Sequence, residues 1–231
     1  MRIKRFLTIA MAGIILAVGL LYGCAQAEAI PEGVPALETE EVMDYPVLNV
    51  YVDNPVLGDE HDFVRIAPWD EDNPTDIANF QADEILIEAG KSYSVMVYYH
   101  NAADAGLGEM ANAEYAVLVV DYPEALEEGK ENCIFGTFAY GTDDTPNMRG
   151  ANVTIQSADA VKLQPGVILA GDAQDCCALL CDNYGENWSS QNPSALVEDG
   201  RSKQAFFFEK ITPGYDGAGF VFLRLDAVAI E

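Results

Sequence analysis

The chain has 231 residues, half of them hydrophobic, and carries 38 Asp+Glu against 12 Lys+Arg, for a formal net charge of −26. A surface this acidic repels nucleic acid and anionic lipid headgroups, so neither is expected as a partner. The hydrophobic half excludes a wholly disordered chain and suffices for one large β-domain or two small ones.

Residues 1–27 read as an export signal. Arg2, Lys4 and Arg5 form a basic start, residues 6–21 an apolar run, and small residues follow. Two cleavage readings stand side by side. Leu21-Tyr22-Gly23-Cys24 has the shape of a lipobox, which makes Cys24 the acylated N-terminus of a lipoprotein; Ala25-Gln26-Ala27 is an A-x-A site for ordinary secretion. Either places the mature chain outside the cytoplasm, membrane-anchored or secreted, and it meets the membrane only through a lipid on Cys24. The leader holds three of the Lys+Arg and none of the Asp+Glu, so its removal makes the chain more acidic still. Residues 28–45, EAIPEGVPALETEEVMDY, contain proline and acids without a period and read as a flexible acidic tether.

Strand signals begin at Tyr45. YPVLNVYVDNP alternates with apolar residues on both faces, and a short strand is expected at residues 63–66. EILIEAG and GKSYSVMVYYHN form the most legible pair. In the second, Tyr93, Val95, Val97 and Tyr99 fall on one face, and Ser94, Met96, Tyr98 and His100 on the other. That period of two predicts a half-buried strand in a β-hairpin turned at Gly90. AEYAVLVVDYP, apolar on both faces, is expected as a central strand ended by Pro123.

ALEEGKEN is a polar break with the composition of a short helical turn and is the best boundary in the chain. It divides residues 46–123, a β-sandwich module or first half, from 124–231, the second. Strand patterns resume at residues 133–140, 151–158, 160–170, 203–211 and 217–230, and DCCALLCDNYG is the expected short helix. Many short strands separated by Gly, Pro and Asp turns predict an all-β, immunoglobulin-like β-sandwich, as one large module or two small ones.

With Cys24 assigned to the leader or its anchor, Cys133, Cys176, Cys177 and Cys181 remain. Four thiols in an exported chain imply up to two disulfides, with three pairings open. A metal site at CC-x3-C is the lesser reading, because no His accompanies it.

IEAGKSYSVMVYYHN resembles the Gly-x-x-Tyr-x-Val-x-Val opening of a strand in bacterial extracellular immunoglobulin-like modules. DNPVLGDEHDFV, YSVMVYYHNAAD and PGYDGAGFVFLRL are similar to a group of secreted bacterial β-proteins with DNP-x-x-GDE-x-x-FV and Tyr-x-His-Asn-Asn-Ala stretches. Ala102 stands where that pattern has its second Asn. The resemblance runs from Pro46 to Leu225 and implies fold and location; it brings no activity with it.

Sites are weighed against composition. Asp53, Asp59, Glu60 and Asp62 cluster around a Gly turn. Asp70, Asp72 and Asp76 alternate oxygens in the next loop, the pattern of ligands a structural Ca²⁺ would use, although the loop lacks the Gly and distal Glu of an EF-hand. In a chain this acidic, solvated surface is the default, so no cofactor is expected beyond that Ca²⁺. Trp69 and Trp188 lie in polar segments where exposed rings stack on sugars, or where a loop Trp folds back to cover a sandwich end. His61 and His100 lie among acids and amides with no G-x-S-x-G elbow, and neither is assigned a catalytic role. There is no P-loop, dinucleotide fingerprint or H-E-x-x-H motif. The sequence therefore predicts a non-enzymatic, extracytoplasmic β-sandwich acting as a cell-envelope structural or interaction module. Its partner would be an envelope protein, a glycan or a second copy. The alternative is a Ca²⁺-dependent carbohydrate-binding or glycan-active surface protein.

Overall fold

A computed structural model describes residues 36–38, 41–142, 145–172, 179–180, 196–198 and 200–230. Strands in chain order are β1 (Val64–Pro68), β2 (Ile85–Ile87), β3 (Ser92–Tyr99), β4 (Ala113–Pro123), β5 (Ala125–Leu126) and β6 (Glu131–Thr142). They continue as β7 (Thr145–Ser157), β8 (Val161–Asp172), β9 (Leu179–Leu180), β10 (Leu196–Glu198), β11 (Arg201–Ile211) and β12 (Gly219–Ala229). The described helical segments are short 3₁₀ turns, as the alternating sequence requires.

Two six-stranded sheets stack as a sandwich. The first runs β1-β3-β12-β8-β5, with β9 also on β8; the second runs β10-β11-β4-β6-β7-β2. Pairing is antiparallel except between β2 and β7. The expected central strand is β4, flanked by β11 and β6 and ending at Pro123. The last strand, β12, is inserted between β3 and β8, so the C-terminal segment is tied in as its two-faced apolar pattern required.

Between the sheets lies one hydrophobic cluster, with Ile66, Val95 and Val97 from one side and Leu118, Ile134, Phe138 and Ile155 from the other. Each of these side chains, removed from water, contributes about 1.5–3 kcal/mol before conformational entropy is set against it. Phe63 and Tyr99 meet Phe138 across the gap, at ring centroids 5.8 and 6.4 Å apart. The sheets come so close at Gly136 that a Cβ there would stand 2.6 Å from Val64 Cγ2. Glycine at that position is a packing requirement.

Five expectations are corrected. The hairpin is absent: β2 pairs with β7 in the second sheet while β3 lies in the first, so the Gly90 turn carries the chain across the sandwich. Alternation reports which face is buried and leaves the partner open. Strand β3 is buried on both faces rather than one, because residues 47–62 and Phe80 cover the outer face bearing Met96 and Tyr98. Residues 45–52 form only isolated bridges, because Asn49 takes φ 52° and breaks the extended run. Within the expected helix DCCALLCDNYG, the described pair Leu179–Leu180 is β9, antiparallel to β8; the sheet supplies hydrogen bonds that a short isolated helix lacks.

The polar break ALEEGKEN, residues 125–132, holds β5, a turn and the start of β6, not a helical turn. Strands from before and after it occur in both sheets, so it connects parts of one sandwich.

Candidate functional site

Residues 41–62 gather at the end of β3, bonded to Arg65 and Tyr98 of the first sheet and to Tyr140 and Arg149 of the second, and polar side chains are concentrated there under cover. Asn49, Asn54, Glu60, His100 and Asn101 are each 3% exposed or less. Burial of that many polar groups demands partners, and the partners are specific.

Glu60 is the hub. A 3₁₀ turn, Glu60–Asp62, is capped by Asp59, whose carboxylate accepts from His61 N; this geometry turns Glu60 inward. Its Oε2 accepts from Val50 N (2.9 Å) and Tyr51 N (3.0 Å). Its Oε1 accepts from Asn54 Nδ2 and from His100 Nδ1, the latter at 2.8 Å. Four donors thus meet on one buried carboxylate. Glu60 N closes the arrangement by donating to Tyr51 O at 2.8 Å.

His100 lies in an aromatic box. Its ring stacks on Tyr215 at 4.6 Å and 11°, and meets Tyr51 at 5.0 Å and Tyr98 at 6.4 Å. Burial, followed by the charge of Glu60, pushes the Tyr215 phenol up to about 12 and the Tyr98 phenol higher still. The Tyr215 turn depends on Gly217, where a Cβ would fall 2.2 Å from Thr212 O.

Amides and a guanidinium complete the docking. Asn49 donates Nδ2 to Tyr98 O (3.0 Å) and accepts from His100 N (2.8 Å), replacing a strand neighbour with a side chain. Asn101 Nδ2 bonds Ala111 O and Ile211 O, while its Oδ1 accepts from Val47 N and Ala103 N. Arg149, on β7, donates to Leu48 O (2.8 Å) and Asn49 O (3.2 Å). Burial pulls its guanidinium below the usual range, against the opposing influence of Tyr140 and Glu60.

Chemically, an imidazole whose Nδ1 donates to a carboxylate has the arrangement of an acid–base pair. Here the other nitrogen, Nε2, is itself buried and makes no hydrogen bond among the described residues. Glu60 and His100 are exposed by 0% and 1%. The pair holds main-chain amides in place and is sealed from solvent.

Of the residues singled out in sequence, Glu60 and His100 meet here, and the proposed Ca²⁺ ligands, Trp69 and Cys133 fall elsewhere. Asp70 Oδ1 accepts from Asp72 N and Asn73 N, and Asp76 Oδ1 caps a 3₁₀ turn through Ala78 N. These carboxylates organise their own loops, and no three His, Cys, Asp or Glu side chains gather as a metal-holding group among the described residues. Trp69 folds back against the core and lies under Arg224, whose guanidinium is 5.0 Å from the ring centroid. Arg224 also bonds Asp226 Oδ1 and Ser92 Oγ, so it ties the acidic loop to β12. Cys133 is half-buried on β6, across from Thr154. Cys24, Cys176, Cys177, Cys181 and Trp188 lie outside the described residues.

Sequence reading missed the union of Glu60 and His100. Glu60 was one acid in a run, and composition hid it. His100 carried a signal: it continues the face of Met96 and Tyr98, which the fold buries. Compared with protein-family models, curated proteins and solved structures, the chain matches none.

Proposed function

We propose that this chain is an extracytoplasmic, non-enzymatic β-sandwich acting as a structural or interaction module of the cell envelope. The observation that carries this reading is the sealing of the Glu60–His100 pair. Of the two His–carboxylate pairs among the described residues, Glu60–His100 is inaccessible and its contacts hold the segment 41–62 in place, while His61–Asp59 lies at the surface, where Asp59 caps the 3₁₀ turn. The basic-then-apolar start of the chain, with Cys24 or Ala27 as its cleavage point, supports export, and of the acidic stretch 28–45 the part before Leu37 suits a tether, since Leu37 and Met43 dock on the fold. The resemblance of its strand motifs to secreted bacterial β-proteins supports the same location.

Intact-mass measurement on the full chain expressed with its leader in a bacterial host, joined to fractionation, tests this. The expected product is an envelope or secreted species, either diacylated on Cys24 or cleaved after Ala27. A cytosolic chain retaining residues 1–27 would refute the location. Turnover of a glycan or ester that His100→Ala abolishes, in a variant that still folds, would refute the non-enzymatic reading.

A further inference from the structure

We propose that residues 41–62 form a strap that opens separately from the sandwich, with Glu60 as its latch and His100 as the group it shields. The strap is joined to the body differently from any core strand. β3 pairs with β1 over five register positions and with β12 over eight. The strap meets the body through the isolated bridges Met43↔Ala103 and Leu48↔Asn101, and otherwise through side chains: Asn49, Asn54 and Glu60 from the strap, and Arg65, Asn101, Tyr140 and Arg149 from the body.

Its apolar residues are divided in the same way. Val47, Val50 and Tyr51 form a second cluster with Ala102, apart from the main core, while Leu48 and Leu57 reach into the main core. Segments held by few ladder bonds and a small cluster open at lower free energy than core strands. Glu60 joins the two parts: Oε2 grips strap amides, and Oε1 takes Asn54 from the strap and His100 from the body. Opening brings the buried His100 Nε2, with the rings of Tyr98 and Tyr215, to solvent.

Native-state hydrogen exchange on the intact protein in sub-denaturing urea tests the proposal, with diethyl pyrocarbonate modification of His100 read by peptide mass. Amides of residues 47–57 should exchange at least about tenfold faster than those of β4 and β12, with a weaker urea dependence. His100 should be modified at urea concentrations where β4 stays protected. Joint exchange of strap, β4 and β12, with His100 modified only on global unfolding, would overturn the proposal. Glu60→Gln should speed strap exchange and His100 modification about tenfold and speed β4 by no more than the same factor, leaving the gap between strap and β4 intact, since a buried hydrogen-bond set made only in the closed strap is disrupted. Unchanged strap rates would remove Glu60 as the latch. Should that variant fail to fold, the wild-type comparison decides by itself.

Discussion

His100 donates its Nδ1 hydrogen to Glu60 across 2.8 Å, with neither side chain more than 1% exposed. Removing one partner of such a pair leaves the other buried without its complement. Glu60→Ala and His100→Ala should each cost about 3–5 kcal/mol in urea denaturation. The double variant should cost less than the sum of the two. Additive losses would show that the two side chains act independently.

Gly136 faces Val64 of the opposite sheet with no room for a Cβ between them. Gly136→Ala should lower stability by about 1–3 kcal/mol through overpacking, with the denaturant slope unchanged. A neutral or stabilising effect would mean that the sheets part at that point at little cost.

Arg224 holds Trp69 from above and Asp226 from the side. Arg224→Ala should cost about 1 kcal/mol and shift tryptophan emission to the red as Trp69 becomes wetter. Emission unchanged in a background of Trp188→Phe would show that the ring is held by the core alone.

Alkaline pH should unfold the protein early. Burial raises the phenols of Tyr51, Tyr93, Tyr98, Tyr122, Tyr140 and Tyr215 above their ordinary value near 10. The folded chain then binds these protons more tightly than the unfolded chain does, so stability is complete below about pH 10 and falls as pH rises through it. Phenolate absorbance followed alongside circular dichroism should show these tyrosines ionising as the fold is lost. Free titration near pH 10 with the fold intact would contradict their burial.

Calcium tests the acidic loop directly. With Asp70 and Asp76 committed to loop amides, calorimetry at about 1 mM Ca²⁺, the affinity range of extracellular modules, should give only dilution heat. A stoichiometric heat lost in Asp72→Asn would establish the Ca²⁺ reading instead.

What was legible in the sequence was the strand inventory. Alternation marked β3, and runs apolar on both faces marked β4 and β12, because β-branched and aromatic residues in short bounded runs signal strands whatever the partner. What was illegible was pairing: EILIEAG lies in the opposite sheet from its neighbour β3, and no local pattern distinguishes that from a hairpin. The strap was misread for a related reason. Asn49 has the flanks of a strand residue, and only its tertiary bonds to Tyr98 and His100 make its left-handed backbone affordable. Glu60 was concealed among the 38 acids of the chain, since sequence shows charge and not which way it points.

The insertion of β12 between β3 and β8 has a consequence for biogenesis. Until residues 219–229 have left the ribosome, β3 and β8 each lack a neighbour, and the first sheet cannot close. The second sheet, whose strands all precede β12, has its full set of partners before the first sheet does. A nonsense codon between Asp172 and Gly219 would strand two naked sheet margins prone to aggregate.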